Sequence, residues 1–361
     1  MQFNNISDNA WLFAMDVPDI TITGATGPVT VRISISGSEE TYEEDELYYC
    51  DDTGSINIEG IGQMAMDYIG VIQGRAMSAG KNDISNYAMV VLTAYGSDGE
   101  AAATKSFYVQ YAREEISSAD VSGYNGFLNR FKSRRITSDQ NIYFAVVGSK
   151  NIRLEVGYKN QSNELATGYT TLTSTGSKKT SVYKYSLANL ITALNINPKE
   201  IYYVVATSSY DEIKWVIDDT YKKNIELFEF DNLFGIPESM AFRGSTVRTS
   251  EMEGSYSIIN LKYQKRRTDI TTKFKAYTGA ISEDERNTVE DIITADFVTV
   301  NGMEATVLEC EVEDKTARKE PITASVTYRY AGIYSRRYVR RTQIAHANAG
   351  VFDATFDDTY E

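Results

Sequence analysis

Residues 29–35 alternate without a break: Val29, Val31, Ile33 and Ile35 fall on one side, Thr30, Arg32 and Ser34 on the other. That is the period of a strand with one buried and one wet face, and a one-residue slip would turn every apolar side chain outward. The signal recurs. Residues 87–95, 142–147 and 201–206 are apolar runs, and Ile152, Leu154 and Val156 alternate. Tyrosine is abundant, with 26 copies in 361 residues. Its ring packs while its hydroxyl stays wet, which suits two-faced strands first and exposed protein or glycan interfaces second. A chain of this kind is expected to be mainly β: tandem β-sandwich-like modules with short helices, plus a C-terminal α+β unit.

The organisation follows from punctuation. Residues 1–112 read as an N-terminal β module, with the acidic run 39–46 as a solvated loop, a turn at Asp51-Asp52-Thr53-Gly54, a short helix over 61–69 and a tight turn at 96–99. In residues 113–140, Tyr124, Phe127, Leu128 and Phe131 sit at helical spacing, which predicts a connecting helical segment. Residues 141–222 read as a second β module, with a polar stretch over 157–176 and a helix over 187–194. The two modules share an order of strand, polar stretch, helix, apolar strand, tight turn and return strand. That order suggests a duplication in which 87–111 corresponds to 201–217. Residues 223–361 read as an α+β module with an acidic tail. They include strands around 240–242, 255–262 and 271–277 and a helix opened by the Ser282 and Glu285 capping box, with Val289, Ile292 and Ile293 on one face. A hairpin is predicted at Asn301-Gly302.

The formal net charge of -14 disfavours nucleic acid and anionic membrane as partners. Lys132-Ser133-Arg134-Arg135 and Arg336-Arg337 with Arg340-Arg341 are too short to outweigh it and read as solvated or interface charges. No apolar run approaches the length of a membrane span. Residues 1–9 are polar, with no basic stretch leading into an apolar one, so synthesis and folding in a cytoplasm are expected. Cys50 and Cys310 do not make a disulfide framework and are expected to be free thiols.

Catalytic chemistry finds little to work with. The single histidine, His346, excludes sites that need two, and no nucleophile elbow lies near it. Cys310 sits in a strand pattern and is expected to pack. Carboxylates are plentiful, but nothing singles out a glycosidase pair, and the acidic run 39–46 lacks the calcium-loop order. There is no phosphate loop and no dinucleotide fingerprint. The reading is therefore non-enzymatic, with no catalytic residue, cofactor or metal ligand assigned. Possible interface or glycan-stacking residues are Tyr48, Tyr49, Tyr202 and Tyr203. Neighbours in a strand face opposite sides, so half of each pair is expected to be buried.

The segment Phe230-Asp231-Asn232-Leu233-Phe234-Gly235-Ile236-Pro237-Glu238, followed by Gly244, resembles a recurrent segment of prophage proteins in gut Bacteroidales. Tyr277-Thr278-Gly279, the acidic-capped helix ending at 291–294, the strand over 305–311 and residues 326–331 are similar to a module of tail and baseplate-type proteins of such phages. The resemblance covers roughly residues 228–331. It implies a β-rich scaffold made in the bacterial cytoplasm and carried in the virion. The implied partners are other tail proteins and further copies of itself, with a surface glycan as the alternative at a cell surface or tail tip.

Overall fold

The computed structural model describes residues 1–37, 40–71, 73–96, 99–118, 120–176, 178–220, 225–259, 262–313, 321–331 and 336–339. The chain is mainly β, as the alternating patterns require.

The first unit is a two-sheet sandwich. Its elements are β1 (Gln2–Asn4), β2 (Trp11–Phe13), β3 (Ile20–Thr23), β4 (Val29–Ser36), β5 (Thr41–Tyr48), β6 (Ile56–Ile58), α1 (Ile61–Met66), β7 (Gly80–Ile84), β8 (Tyr87–Tyr95) and β9 (Ala101–Gln110). One sheet runs β1-β3-β6 and the other β2-β9-β8-β4-β5, with β2 parallel to β9. Val29, Val31, Ile33 and Ile35 point into the sandwich, where they share a core with Ile20, Ile22, Ile56 and Ile58 of the smaller sheet. The acidic run is not a loop: residues 41–48 form edge strand β5. Arg32 on β4 draws it in, bonding Asp45 at 2.7 Å and Glu43 at 3.4 Å.

The second unit contains β10 (Ser133–Ile136), β11 (Ile142–Val147), β12 (Asn151–Asn160), β13 (Leu165–Thr173), β14 (Thr180–Tyr185), α2 (Leu187–Leu194), β15 (Pro198–Thr207) and β16 (Glu212–Ile217). Its larger sheet runs β10-β16-β15-β12-β13, with β10 parallel to β16. Strand for strand, β2–β6, α1, β8 and β9 of the first unit correspond to β10–β14, α2, β15 and β16 of the second, in order, sheet and pairing. This is the Greek-key connectivity of immunoglobulin-type sandwiches. The smaller sheet runs β11-β14-β7, so its third strand comes from the first unit.

Two expectations fail here. The stretch 157–176 is not a polar connection but the end of β12 and all of β13. Among its described residues, the segment 113–140 holds no α-helix, only a 3-10 turn at Val121–Gly123 and strand β10. Its aromatic spacing has another cause: Phe127 and Phe131 enter the second core while Leu128 enters the junction between units.

The third unit is one large sheet with a helix on it. Its elements are β17 (Glu226–Asp231), β18 (Pro237–Phe242), β19 (Thr246–Ile259), β20 (Lys262–Ile281), α3 (Glu283–Thr294), β21 (Val298–Val300), β22 (Met303–Glu313), β23 (Ile322–Tyr330) and β24 (Arg336–Val339). The sheet order is β18-β17-β21-β22-β23-β20-β19, with β24 added on β20. Ser282 and Glu285 form the capping box of α3, and Val289 and Ile292 are buried against the sheet. Ile293 instead lies 45% exposed. Asn301 (φ 52°) and Gly302 (φ 77°) make the two-residue turn between β21 and β22, both in the left-handed region such turns need. The stretch 255–262 is not one strand: β19 ends and β20 begins within it, forming a hairpin with strands of 14 and 20 residues. Among the described residues, no helix is long and apolar enough to cross a membrane.

Candidate functional site

The four tyrosines singled out from the sequence do not converge. Tyr48 ends β5 on the first sandwich and Tyr49 follows it, while Tyr202 and Tyr203 lie on β15 of the second. None is buried. Tyr49 is 74% exposed, and half-buried Tyr48 packs on the rim of the first core and donates its hydroxyl hydrogen bond to Glu46. Tyr202 and Tyr203 are both half-buried because β15 bulges against β12: Tyr203 pairs with Gly157 and Ile201 with Tyr158, leaving Tyr202 without a partner opposite. The Tyr203 ring covers Gly157, where a Cβ would lie 2.2 Å from it, and the Tyr203 hydroxyl donates to Glu155 at 3.4 Å.

The densest polar chemistry lies instead where the three units meet. Its centre is the turn between β17 and β18. Asn232 organises that turn: its carbonyl Oδ1 accepts from the Phe234 and Ile236 amides at 2.9 and 3.2 Å. Its Nδ2 donates to the Leu128 carbonyl and to Glu238, both at 2.7 Å. Gly235 sits at φ +68° with the Tyr111 ring 3.0 Å from where a Cβ would be, so a side chain there would be strained on both counts. The turn drives Leu233, Phe234 and Ile236 into an apolar cluster with Trp11 and Phe13 of the first unit and Ala145 and Val182 of the second.

Charged groups close around this plug. Arg134, in a cluster expected to be solvated or at an interface, is 2% exposed and joins the second unit to the third. It bonds Glu238 at 2.8 Å, the Ser239 carbonyl at 2.8 Å and the Thr288 hydroxyl at 2.5 Å, and lies 3.8 Å over the Phe131 ring. Glu238 also accepts from Asn129 at 2.9 Å. Arg113 reaches from the end of the first unit to Asp231 at 3.1 Å, and Arg130 reaches Asp291 at 3.1 Å. Asn86 donates to the Phe234 carbonyl at 3.1 Å and accepts from Gln110 and Thr180 at 2.6 and 2.7 Å. Most of the polar atoms of these groups find partners across unit boundaries, which offsets the cost of burying them.

Burial pushes two junction carboxyls upward. Asp231 is raised because desolvation outweighs the nearby Arg113 charge. Asp291 is raised to about 7, first by desolvation and then by the Glu238 charge, against the opposing pull of Arg130. Its Oδ2 has no hydrogen-bond partner among the described residues. A carboxyl raised in the folded state binds more protons there than in the unfolded chain, so it loses stability as pH climbs from about 4 to about 7. Asp291→Asn, which copies the protonated form, is therefore expected to raise the melting temperature at pH 8 relative to wild type. The gain should shrink to less than about half at pH 5 and vanish only below about pH 4, as thermal melts from pH 4 to pH 8 would show. An equal effect at both pH values would remove Asp291 as its source.

The arrangement offers little room for substrate. A recess at the junction, lined in part by Arg75, Tyr143, Glu229 and Phe297, has a volume of about 60 Å³. That holds a water or two, whereas small-molecule pockets run to about 300 Å³ and more. Among the described residues, no group of three or more His, Cys, Asp or Glu side chains is placed to hold a metal ion. On β5, Glu43 and Asp45 face one side, against Arg32, while Glu44 and Glu46 face the other, so the acidic run does not gather its oxygens as a calcium loop would. Cys50 and Cys310 are free and half-buried, packed on the first and third cores, and burial pushes the Cys310 thiol up to about 11. His346, Arg340, Arg341 and the acidic stretch 350–361 lie outside the described residues.

No family model, curated protein or solved structure matches the chain.

Proposed function

We propose that this chain is a non-enzymatic structural protein of a phage or prophage tail or baseplate, of the kind carried by gut Bacteroidales. It would be made in the bacterial cytoplasm and incorporated into the virion by contacts with other tail proteins and with itself. The observation that carries this reading is the use made of the deeply buried polar groups. Arg134, Glu238, Asn232, Asn129 and Asn86 bind three β units to one another, and the recess that Glu238 lines at their junction holds only about 60 Å³. Rigid coupling of β modules with open sheet edges serves assembly.

The test is particle association. After induction of a host carrying the gene, the protein is expected to sediment with tailed particles through a density gradient, at a fixed ratio to other virion proteins. Its appearance only in the soluble fraction, with particles present, would rule the reading out. A tail-tip glycan-binding role is the second reading, favoured by the exposure of Tyr49, and an array of bacterial surface glycans would test it.

A further inference from the structure

We propose that β13 is a self-association edge: two copies join their larger second-unit sheets by pairing this strand with itself, antiparallel, about a twofold axis at Tyr169. The choice of a second copy as partner rests on the assembly reading above.

Strand β13 ends its sheet, and among the described residues only β12 pairs with it. The phase of that ladder fixes which groups are free. Asn160 donates to the Glu164 carbonyl at 2.9 Å at one end, and Ser174 donates to the Lys150 carbonyl at 2.9 Å at the other. In an antiparallel pair, hydrogen-bonded positions alternate, so even-numbered residues of β13 bond inward. Leu165, Thr167, Tyr169, Thr171 and Thr173 therefore turn their N–H and C=O groups toward the open edge. The β12–β13 register has no irregularity, so this edge is regular over its full length.

The corresponding strand of the first unit shows what a protected edge looks like. β5 occupies the same position in its sheet but carries Glu43, Glu44, Asp45 and Glu46, with carboxylates on both faces. Charges of this kind, especially inward-facing ones, deter pairing with another strand. Strand β13 has nine residues and no charge or proline among them, and it is rich in threonine, which favours strands. It also displays Leu165 at 80% and Tyr169 at 62% exposure. One of two sister edges is blocked and the other is left open.

The open edge is complementary to itself. Tyr169 is the middle residue of Leu165–Thr173. An axis there sets Leu165 opposite Thr173, Thr167 opposite Thr171 and Tyr169 opposite its own copy. All of these are odd-numbered positions, so every free donor on the edge meets a free acceptor. No like charges face each other, which matters between chains of net charge -14. The same operation on β5 would set acid against acid.

Light scattering over a concentration series of about 1–200 µM, the range in which a modest interface saturates, tests this on the full chain. The expected mass rises from 40.4 kDa to twice that, 80.8 kDa. Tyr169→Pro removes an outward N–H without touching the β12 ladder, and proline is tolerated at such edge positions. Thr167→Lys with Thr171→Lys sets lysines opposite each other across the axis at exposed side chains. Each variant is expected to stay at 40.4 kDa throughout with the far-ultraviolet spectrum of wild type. If the proline variant does not fold, the lysine pair decides. A wild type that remains monomeric means another segment or another protein covers the edge, and the proposal fails. A dimer that survives the lysine pair also overturns it. Neither outcome touches particle association, so this inference can fail while the assembly reading stands, and the reverse.

Discussion

Replacing Arg134 by methionine is expected to lower the stability of the chain by about 3–5 kcal/mol, the range for a buried ion pair that loses one partner. Arg134 and Glu238 are each 2% exposed at the side chain, so the remaining carboxylate would find no water to replace the guanidinium. The Ser239 carbonyl and the Thr288 hydroxyl would lose their donor as well. Adding Glu238→Gln should recover at least half of the loss. The amide keeps an acceptor for Asn129 and Asn232 but carries no charge. Urea unfolding of the two single variants and the double variant gives the coupling directly. Additive losses would mean that Arg134 acts through packing on Phe131 rather than through Glu238.

Phe234→Ala is expected to be of similar size, about 3–5 kcal/mol, and different in kind. Phe234 belongs to the third unit, yet its ring lies 5.7 Å from that of Phe13 and 6.2 Å from that of Tyr124. Its removal opens a cavity in an apolar cluster that all three units share. The loss should therefore appear as lost cooperativity. Calorimetry should show a single unfolding transition in wild type and resolved transitions in the variant. A lowered but still single transition would show that the polar contacts alone keep the units coupled.

What could be read from the sequence was whatever a short window decides. The alternation in β4 and the apolar run of β8 mark central strands because both are fixed by the core beneath them. The Ser282 capping box and the Asn301-Gly302 turn are local chemistry and stand where their residues put them. The failures share a cause, which is that a distant partner sets the outcome. Nothing near Glu43 announces a strand, because the neutralising Arg32 lies on another one. Threonines in 165–173 read only as part of a polar stretch until β12 is laid beside them, although their β-branching was an available signal. Phe127, Leu128 and Phe131 mimic helical spacing while serving two different cores. Of the junction, the segment 230–238 shows in the sequence only as an apolar run closing in a turn at Gly235-Ile236-Pro237-Glu238, and through the resemblance. Its role in closing three units together needs Asn86, Asn129 and Arg134, each about a hundred residues or more away from it.

Strand β7 sets a timetable. It leaves the ribosome as part of the first sandwich, but its hydrogen-bonding partner is β14, and Tyr185 follows Ile84 by 101 positions. At bacterial or eukaryotic synthesis rates, this leaves the strand waiting roughly 5–20 s beside an otherwise finished fold. During that interval Gly80–Ile84 presents both of its edges to whatever is nearby. The second sandwich can complete its smaller sheet only by returning to its predecessor. The nascent chain thus carries a built-in order of events, in which the second unit completes its smaller sheet only after the first has supplied β7.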